Sequence, residues 1–211
     1  MNQNPHQITH FSYLWRKENS LKMIRNHRSE LLSNNWYILR KHTYEFQQRN
    51  GEWVEQVREA YDRGNGAAIL LYNQQEGTVL LTRQFRLPTF INGNPDGMMI
   101  EVCAGLLDEA DPAECVRRET EEETGYRIQE VKKVMEAYMS PGAVTEILYL
   151  FIGAYEAHQK VSEGGGLAEE TEDIEVLEYT LDQAMGMVAS GEIKDAKTIM
   201  LLQYAKLNQL V

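Results

Sequence analysis

Between residues 118 and 125 the chain reads Arg-Glu-Thr-Glu-Glu-Glu-Thr-Gly, with four carboxylates in five consecutive positions, Glu119 to Glu123. On a helix, Glu119, Glu122 and Glu123 stand at i, i+3 and i+4 and share one face. Like charges so placed repel by roughly a few tenths of a kcal/mol per exposed pair, and by more where water is excluded. A divalent cation reverses that sign. Mg²⁺ in particular is held by one or two carboxylates together with water and substrate phosphate oxygens. An isolated acidic run is usually solvated helix surface, but the flanks here argue for more. Asp111-Pro112 can cap and start a helix, Gly125 suits its C-terminus, and Arg118 can orient the first carboxylate. The segment points to metal-dependent chemistry on phosphate.

The chain has 211 residues, 43% of them hydrophobic, which suits one domain, or one domain with an appended N-terminal element. A formal net charge of −11 argues against a nucleic-acid backbone as the main partner. An anionic substrate must therefore be met by local arginines and metal rather than by the field of the whole protein. Cys103 and Cys115 are the two cysteines, and without a signal-type apolar core at the N-terminus they read as reduced core thiols. No apolar run approaches membrane-spanning length. The expected location is cytoplasmic.

Residues 1–33 are polar and mixed, and read as an extension, either helical around Ser20–Leu32 or disordered. Residues 34–65 read as a strand subdomain, with alternation at Trp36–Leu39 and His42–Phe46 and a tight hairpin turn at Asn50-Gly51. Residues 66–211 read as the catalytic domain. There, Ala67–Tyr72, Thr78–Thr82 and Met98–Cys103 form short apolar runs expected as buried strands, and Val131–Tyr138 and Ile147–Tyr155 continue the sheet. Glu163-Gly164-Gly165-Gly166 opens an acidic loop expected to be flexible. Ile174–Leu177 is a last short strand, and Leu181–Ser190 and Lys194–Leu207 read as helices. Strands interleaved with helices give a mixed α/β sandwich.

Gly105-Leu106-Leu107 followed by Arg118–Gly125 resembles the Nudix box. That pattern is a glycine, five residues, a glutamate, seven residues, then Arg-Glu-aliphatic-x-Glu-Glu-x-Gly-aliphatic. The loop here is one residue short, the early glutamate falls near Glu109, Ala110 or Asp111, and Thr120 and Tyr126 occupy aliphatic positions. Further runs extend the likeness over roughly residues 33–207: Tyr61–Gly66, Arg83–Arg86, Glu101–Asp108, Tyr138–Gly142, Val144–Glu146, the glycine-rich loop and Gly191–Asp195. Together they resemble the GDP-mannose pyrophosphatase branch of the Nudix hydrolases, a sister of the ADP-ribose pyrophosphatases.

The resemblance implies an α/β/α sandwich with a mixed sheet plus N-terminal antiparallel strands. It implies metal-dependent hydrolysis of a nucleoside diphosphate sugar, GDP-mannose giving GMP and mannose 1-phosphate, with Mg²⁺ or Mn²⁺. The Ala104 carbonyl, Glu119, Glu123 and Glu172 are the implied metal ligands, with Glu122 completing the cluster. Glu170 or Glu146 is the candidate for positioning or deprotonating the attacking water. Trp36, Arg58, Glu59, Arg86, Gly105, Leu106, Glu146 and Lys197 are the implied substrate contacts. A homodimer with exchanged N-terminal strands is implied as well. Two alternatives stay open: an ADP-ribose or broader sugar-nucleotide pyrophosphatase, and a non-catalytic module that senses a nucleotide sugar.

Overall fold

A computed structural model describes residues 23–107, 111–167, 169 and 171–211. The chain divides into two compact units. Among the described residues, one holds 23–64 together with Ser140–Glu146, and the other holds those of Asn65–Met139 and Ile147–Val211.

In the first unit, β1 (Ile24–Asn34), β2 (Ile38–Gln47) and β3 (Trp53–Asp62) form an antiparallel sheet in that order. The described part of the segment expected as a helix around Ser20–Leu32 is therefore strand, and residues 1–22 lie outside the described residues. The reason is cross-strand pairing. Arg25 and Asn26 both donate to Glu45, and Lys41 pairs with Glu30, contacts that no local propensity encodes. Asn26 takes φ +54° at a register shift in β1, a conformation asparagine tolerates better than most residues. The β2–β3 hairpin closes through loop 48–52, where Gln48 N–H donates to the Glu52 carbonyl and Gly51 takes φ +86°. The segment Ser140–Glu146 is stitched to the end of β3. Tyr61 N–H donates to the Ala143 carbonyl at 2.8 Å, and Thr145 Oγ1 donates to Asp62 at 2.9 Å.

The second unit is built on a seven-stranded mixed sheet. Its main path runs β10 (Glu175–Thr180), β5 (Thr78–Phe85), β4 (Gly66–Asn73), β9 (Ile147–Ala154), β8 (Lys132–Tyr138). β4 and β9 are parallel, and the other pairings are antiparallel. The run Met98–Cys103 is two strands rather than one. β6 (Met98–Glu101) pairs with β5, the chain switches at Val102, and β7 (Cys103–Leu106) pairs with β4. The short helix α1 (Leu87–Ile91), unmarked by any sequence periodicity, lies between β5 and β6.

Both sheet faces are covered, and the alternation along β4 shows how. Ala68 and Leu70 join a core with Leu201, Leu202 and Ala205 of α4 (Ala196–Leu207) and Leu181 and Ala184 of α3 (Leu181–Ser190). Ala67, Ile69 and Leu71 face the opposite way, onto Cys115 and Val116 of α2 (Pro112–Thr124). A strand residue's neighbours point to opposite faces, so β4 is apolar throughout because each face has its own helical layer. Each such leucine or isoleucine contributes about 1.5–3 kcal/mol by burial. The architecture is the expected α/β/α sandwich. Among the described residues, no helix is long and apolar enough to cross a membrane.

Candidate active site

The acidic helix is fixed at both ends. The Asp111 side chain accepts from Ala113 N–H at 3.0 Å and Pro112 opens the first turn, while Gly125 takes φ +78° at the C-cap. Thr120, in an aliphatic position of the pattern, donates to the Val116 carbonyl at 2.6 Å, so its hydroxyl costs little in the core. The loop expected to be flexible is fastened to the helix end. Gly165 N–H donates to the Glu123 carbonyl at 2.8 Å and Gly166 N–H to the Glu122 carbonyl at 3.1 Å, satisfying carbonyls that a helix terminus leaves open. A Cβ on Gly164 would stand 2.4 Å from the Glu123 carbonyl oxygen, so this approach needs glycine.

Helix periodicity then sorts the carboxylates. Glu121 points away and is held by Arg127. Arg118 clasps two of the others, with Nη2 at 2.7 Å from Glu119 and Nη1 at 3.0 Å from Glu122. Glu119 lies across the backbone of Gly105, where a Cβ would come within 2.2 Å of its carboxyl carbon. The glycine of β7 is thus a cradle for that carboxylate, and Ala104 is its neighbour on the same strand.

Glu123 is 2% exposed, and its Oε2 has no hydrogen-bond partner among the described residues. Burial pushes its carboxyl up to about 8. The Cys103 thiol donates to it and opposes that rise, the charges of Glu119 and Glu172 add to it, and Arg86 opposes it. Cys103, itself raised well above the usual thiol range by burial and by Glu123, stays a neutral donor. Glu172 accepts from Leu167 N–H at 3.1 Å and packs against Gly166, so the fastened loop delivers its charge to the cluster. Glu170 lies outside the described residues, as do Asp108–Ala110.

An unpartnered buried carboxylate oxygen that feels the charges of two further carboxylates suits a hard divalent cation with oxygen ligands. Among the described residues, no three acidic, imidazole or thiol groups close on one point as a ready-made cage. An ion there would need water and phosphate oxygens to complete its coordination.

Arg86 and Lys197 meet at a residue absent from the sequence-derived site. Arg86 forks onto Glu101 (Nε–Oε1 3.0 Å, Nη2–Oε2 2.8 Å), and Lys197 Nζ lies 3.0 Å from Glu101 Oε2 and 3.0 Å from Asp195 Oδ1. Burial opposes ionisation of Glu101, but Lys197 and Arg86 outweigh it and hold the carboxyl at about 2. Burial likewise opposes both cations, and their carboxylate partners keep them above their usual ranges. The available signal was an acid set within the apolar run Met98-Met99-Ile100-Glu101-Val102.

Trp36, Arg58, Glu59 and Glu146 belong to the N-terminal unit. Trp36 is 82% exposed and edge-on to Tyr37, and Arg58 bonds only the Val57 carbonyl among the described contacts. Glu146 is buried beside Arg63, at 3.5 Å, and the Arg63 guanidinium lies 5.6 Å over the Tyr37 ring.

Residues 23–61 match the family described as the GDP-mannose pyrophosphatase NudK N-terminal domain, and residues 62–202 match the NUDIX domain. The chain is 57% identical over 188 residues to a GDP-mannose pyrophosphatase of Yersinia enterocolitica, covering 89% of this chain and 97% of that one. It is 54% identical over 185 residues to the Yersinia pestis enzyme of the same name (88% and 92% covered), and 54% identical over 176 residues to that of Pectobacterium atrosepticum (83% and 90%). With both domain matches and relatives aligned over nearly their whole length, the chain belongs to the Nudix hydrolases, in their GDP-mannose pyrophosphatase branch.

Proposed function

We propose that this protein hydrolyses the pyrophosphate bond of GDP-mannose, releasing GMP and mannose 1-phosphate, with Mg²⁺ as the metal and Mn²⁺ as a substitute. The observation that carries the reading is Glu123: a buried carboxylate whose Oε2 has no hydrogen-bond partner among the described residues, and which feels the charges of Glu119 and Glu172. A sensing module has no use for so costly a group.

The Ala104 carbonyl, Glu119, Glu123 and Glu172 would hold the metal, with Glu122 kept beside them by Arg118. When bound, the metal neutralises the diphosphate and makes water more acidic. Arg86 and Lys197 would supply positive charge to the phosphates, and the Gly105-Leu106 segment would contact the substrate. Trp36, Arg58 and Glu59 would contact the nucleotide. In the reaction, the water oxygen bonds to one phosphorus, the bridging oxygen leaves with the other phosphate, and the water's proton passes to Glu146 or Glu170.

A second copy of the chain with exchanged N-terminal strands would cover the three-stranded sheet. Its exposed Leu31, Leu32, Val54 and Val57 support that reading. The buried cysteines Cys103 and Cys115, neither of them in a disulfide, suit the reducing cytoplasm.

The test is release of monophosphates from GDP-mannose and ADP-ribose side by side, with Mg²⁺ and with chelator. Metal-dependent turnover preferring GDP-mannose is expected. A preference for ADP-ribose by more than about tenfold, equal to 1.4 kcal/mol in transition-state binding, would reassign the substrate.

A further inference from the structure

We propose that Glu101 is a positioning residue, which, itself braced by Lys197, holds Arg86 directed at the phosphates of the substrate. The inference rests on the phosphate chemistry proposed above.

Three observations carry it. First, Glu101 receives both cations at once. Its two oxygens take the Arg86 fork, and Oε2 also takes Lys197. A fork of two parallel bonds fixes the guanidinium plane as well as its place. Second, the anchor itself cannot drift. Lys197 also binds Asp195, whose Oδ2 accepts from Thr198 N–H at 3.0 Å and from Thr198 Oγ1 at 2.6 Å. Thr198 Oγ1 in turn accepts from Val102 N–H at 2.8 Å, so the backbone next to Glu101 is tied to the start of α4. Third, Arg86 is not spent on the pair. Its side chain remains 40% exposed, and Glu101 engages Nε and Nη2, leaving Nη1 as a further donor.

The arrangement solves a problem set by the acidic helix. Arg86 lies within electrostatic reach of Glu123 whenever that carboxylate is ionised. A long cation free to choose would fold onto the carboxylates meant for metal. Glu101 outcompetes them with two bonds in place. Lys197 balances Asp195 and Arg86 balances Glu101, so Arg86 is held on Glu101 rather than on the carboxylates of the acidic helix. Stability alone explains this poorly, because buried ion clusters can often be replaced by apolar residues without loss.

The test is Glu101→Gln, which keeps shape but turns one acceptor into a donor facing two donors. Kinetics with GDP-mannose at saturating Mg²⁺ should show KM raised about tenfold or more, the value of one charge-assisted bond, with kcat falling less. In an Arg86→Ala background, whose own KM is already raised, Glu101→Gln should add less than about twofold, because its effect runs mainly through Arg86. Glu101→Asp restores the charge one methylene short. It should recover thermal stability while KM stays raised, and it stands in if the glutamine variant fails to fold. Unchanged KM with only a lower melting temperature, or effects that multiply in the double variant, would overturn the proposal. Wild-type silence on GDP-mannose would count against the proposed reaction instead. Calorimetric affinity for GDP with Mg²⁺ would then decide this one: weaker in Glu101→Gln if Glu101 positions Arg86, equal to wild type if it does not.

Discussion

Gly105→Ala separates the site from the fold. An alanine Cβ there would stand 2.2 Å from both Cδ and Oε1 of Glu119 and 2.4 Å from its Cγ, where ordinary contact begins near 3.4 Å. The carboxylate must therefore retreat by about 1 Å or swing to another rotamer, which costs about 0.5–1.5 kcal/mol. Gly105 is not among the glycines with positive φ, so alanine meets no backbone strain and recovers about 0.4–1 kcal/mol of unfolded-chain entropy. The two terms nearly cancel, and the melting temperature should shift by no more than about 2–4 °C, the equivalent of 1 kcal/mol in a chain of this size. A catalytic group misplaced by about 1 Å costs on the order of 10²-fold in rate. Thermal melting with chelator, paired with kcat across a Mg²⁺ titration, reads both quantities. Wild-type turnover with an unchanged Mg²⁺ response would refute the cradle. A large fall in melting temperature would make Gly105 a packing residue instead.

Two further outcomes follow from the same geometry. Gly164→Ala would set a Cβ 2.4 Å from the Glu123 carbonyl oxygen at φ +71°, against backbone that cannot swing away. It should cost about 1–3 kcal/mol for the conformation alone and loosen the loop carrying Glu172. A lower melting temperature with weaker Mg²⁺ activation is expected, and wild-type values of both would contradict the docked loop. The Glu101 carboxyl is depressed from 4.5 to about 2 in the folded protein, so the unfolded chain binds its proton first. Its contribution, on the order of 3 kcal/mol, is complete above pH 4.5 and is lost as pH falls towards 2. Acid denaturation followed by circular dichroism should show that segment in the wild type and not in Glu101→Gln; identical acid limbs would contradict it.

What was legible in the sequence was what local chemistry encodes. Asp111-Pro112 and Gly125 bound α2 because a cap, a first-turn proline and a left-handed C-cap act within a few residues of themselves. Apolar runs such as Ala67–Tyr72 announced β4 because both faces of that strand are covered. The misses have non-local causes. β1 looked like a polar helix because its partners, Glu45 and Lys41, lie on another strand. The run Met98–Cys103 hid a change of partner at Val102 that no hydrophobic pattern records. The three-glycine stretch read as flexible because its anchors are carbonyls of α2, some forty residues upstream. Glu101 stayed unseen as a site residue because its meaning depends on Arg86 and on Lys197, which is 96 residues away. By contrast, Glu119, Glu122 and Glu123 needed only helical spacing to be grouped.

The most direct test is metal binding to wild type and Glu123→Gln, measured by calorimetry with Mn²⁺ and by turnover on the same preparations. With its carboxyl near 8, Glu123 is largely protonated at neutral pH without metal, so glutamine mimics its resting form and the variant should fold normally. Wild type should bind Mn²⁺ with release of a proton, seen as a dependence of the heat on buffer. Glu123→Gln should lose both that binding and most turnover. Mn²⁺ bound at wild-type affinity by Glu123→Gln, with turnover within about twofold of wild type, would contradict a metal site built on this carboxylate.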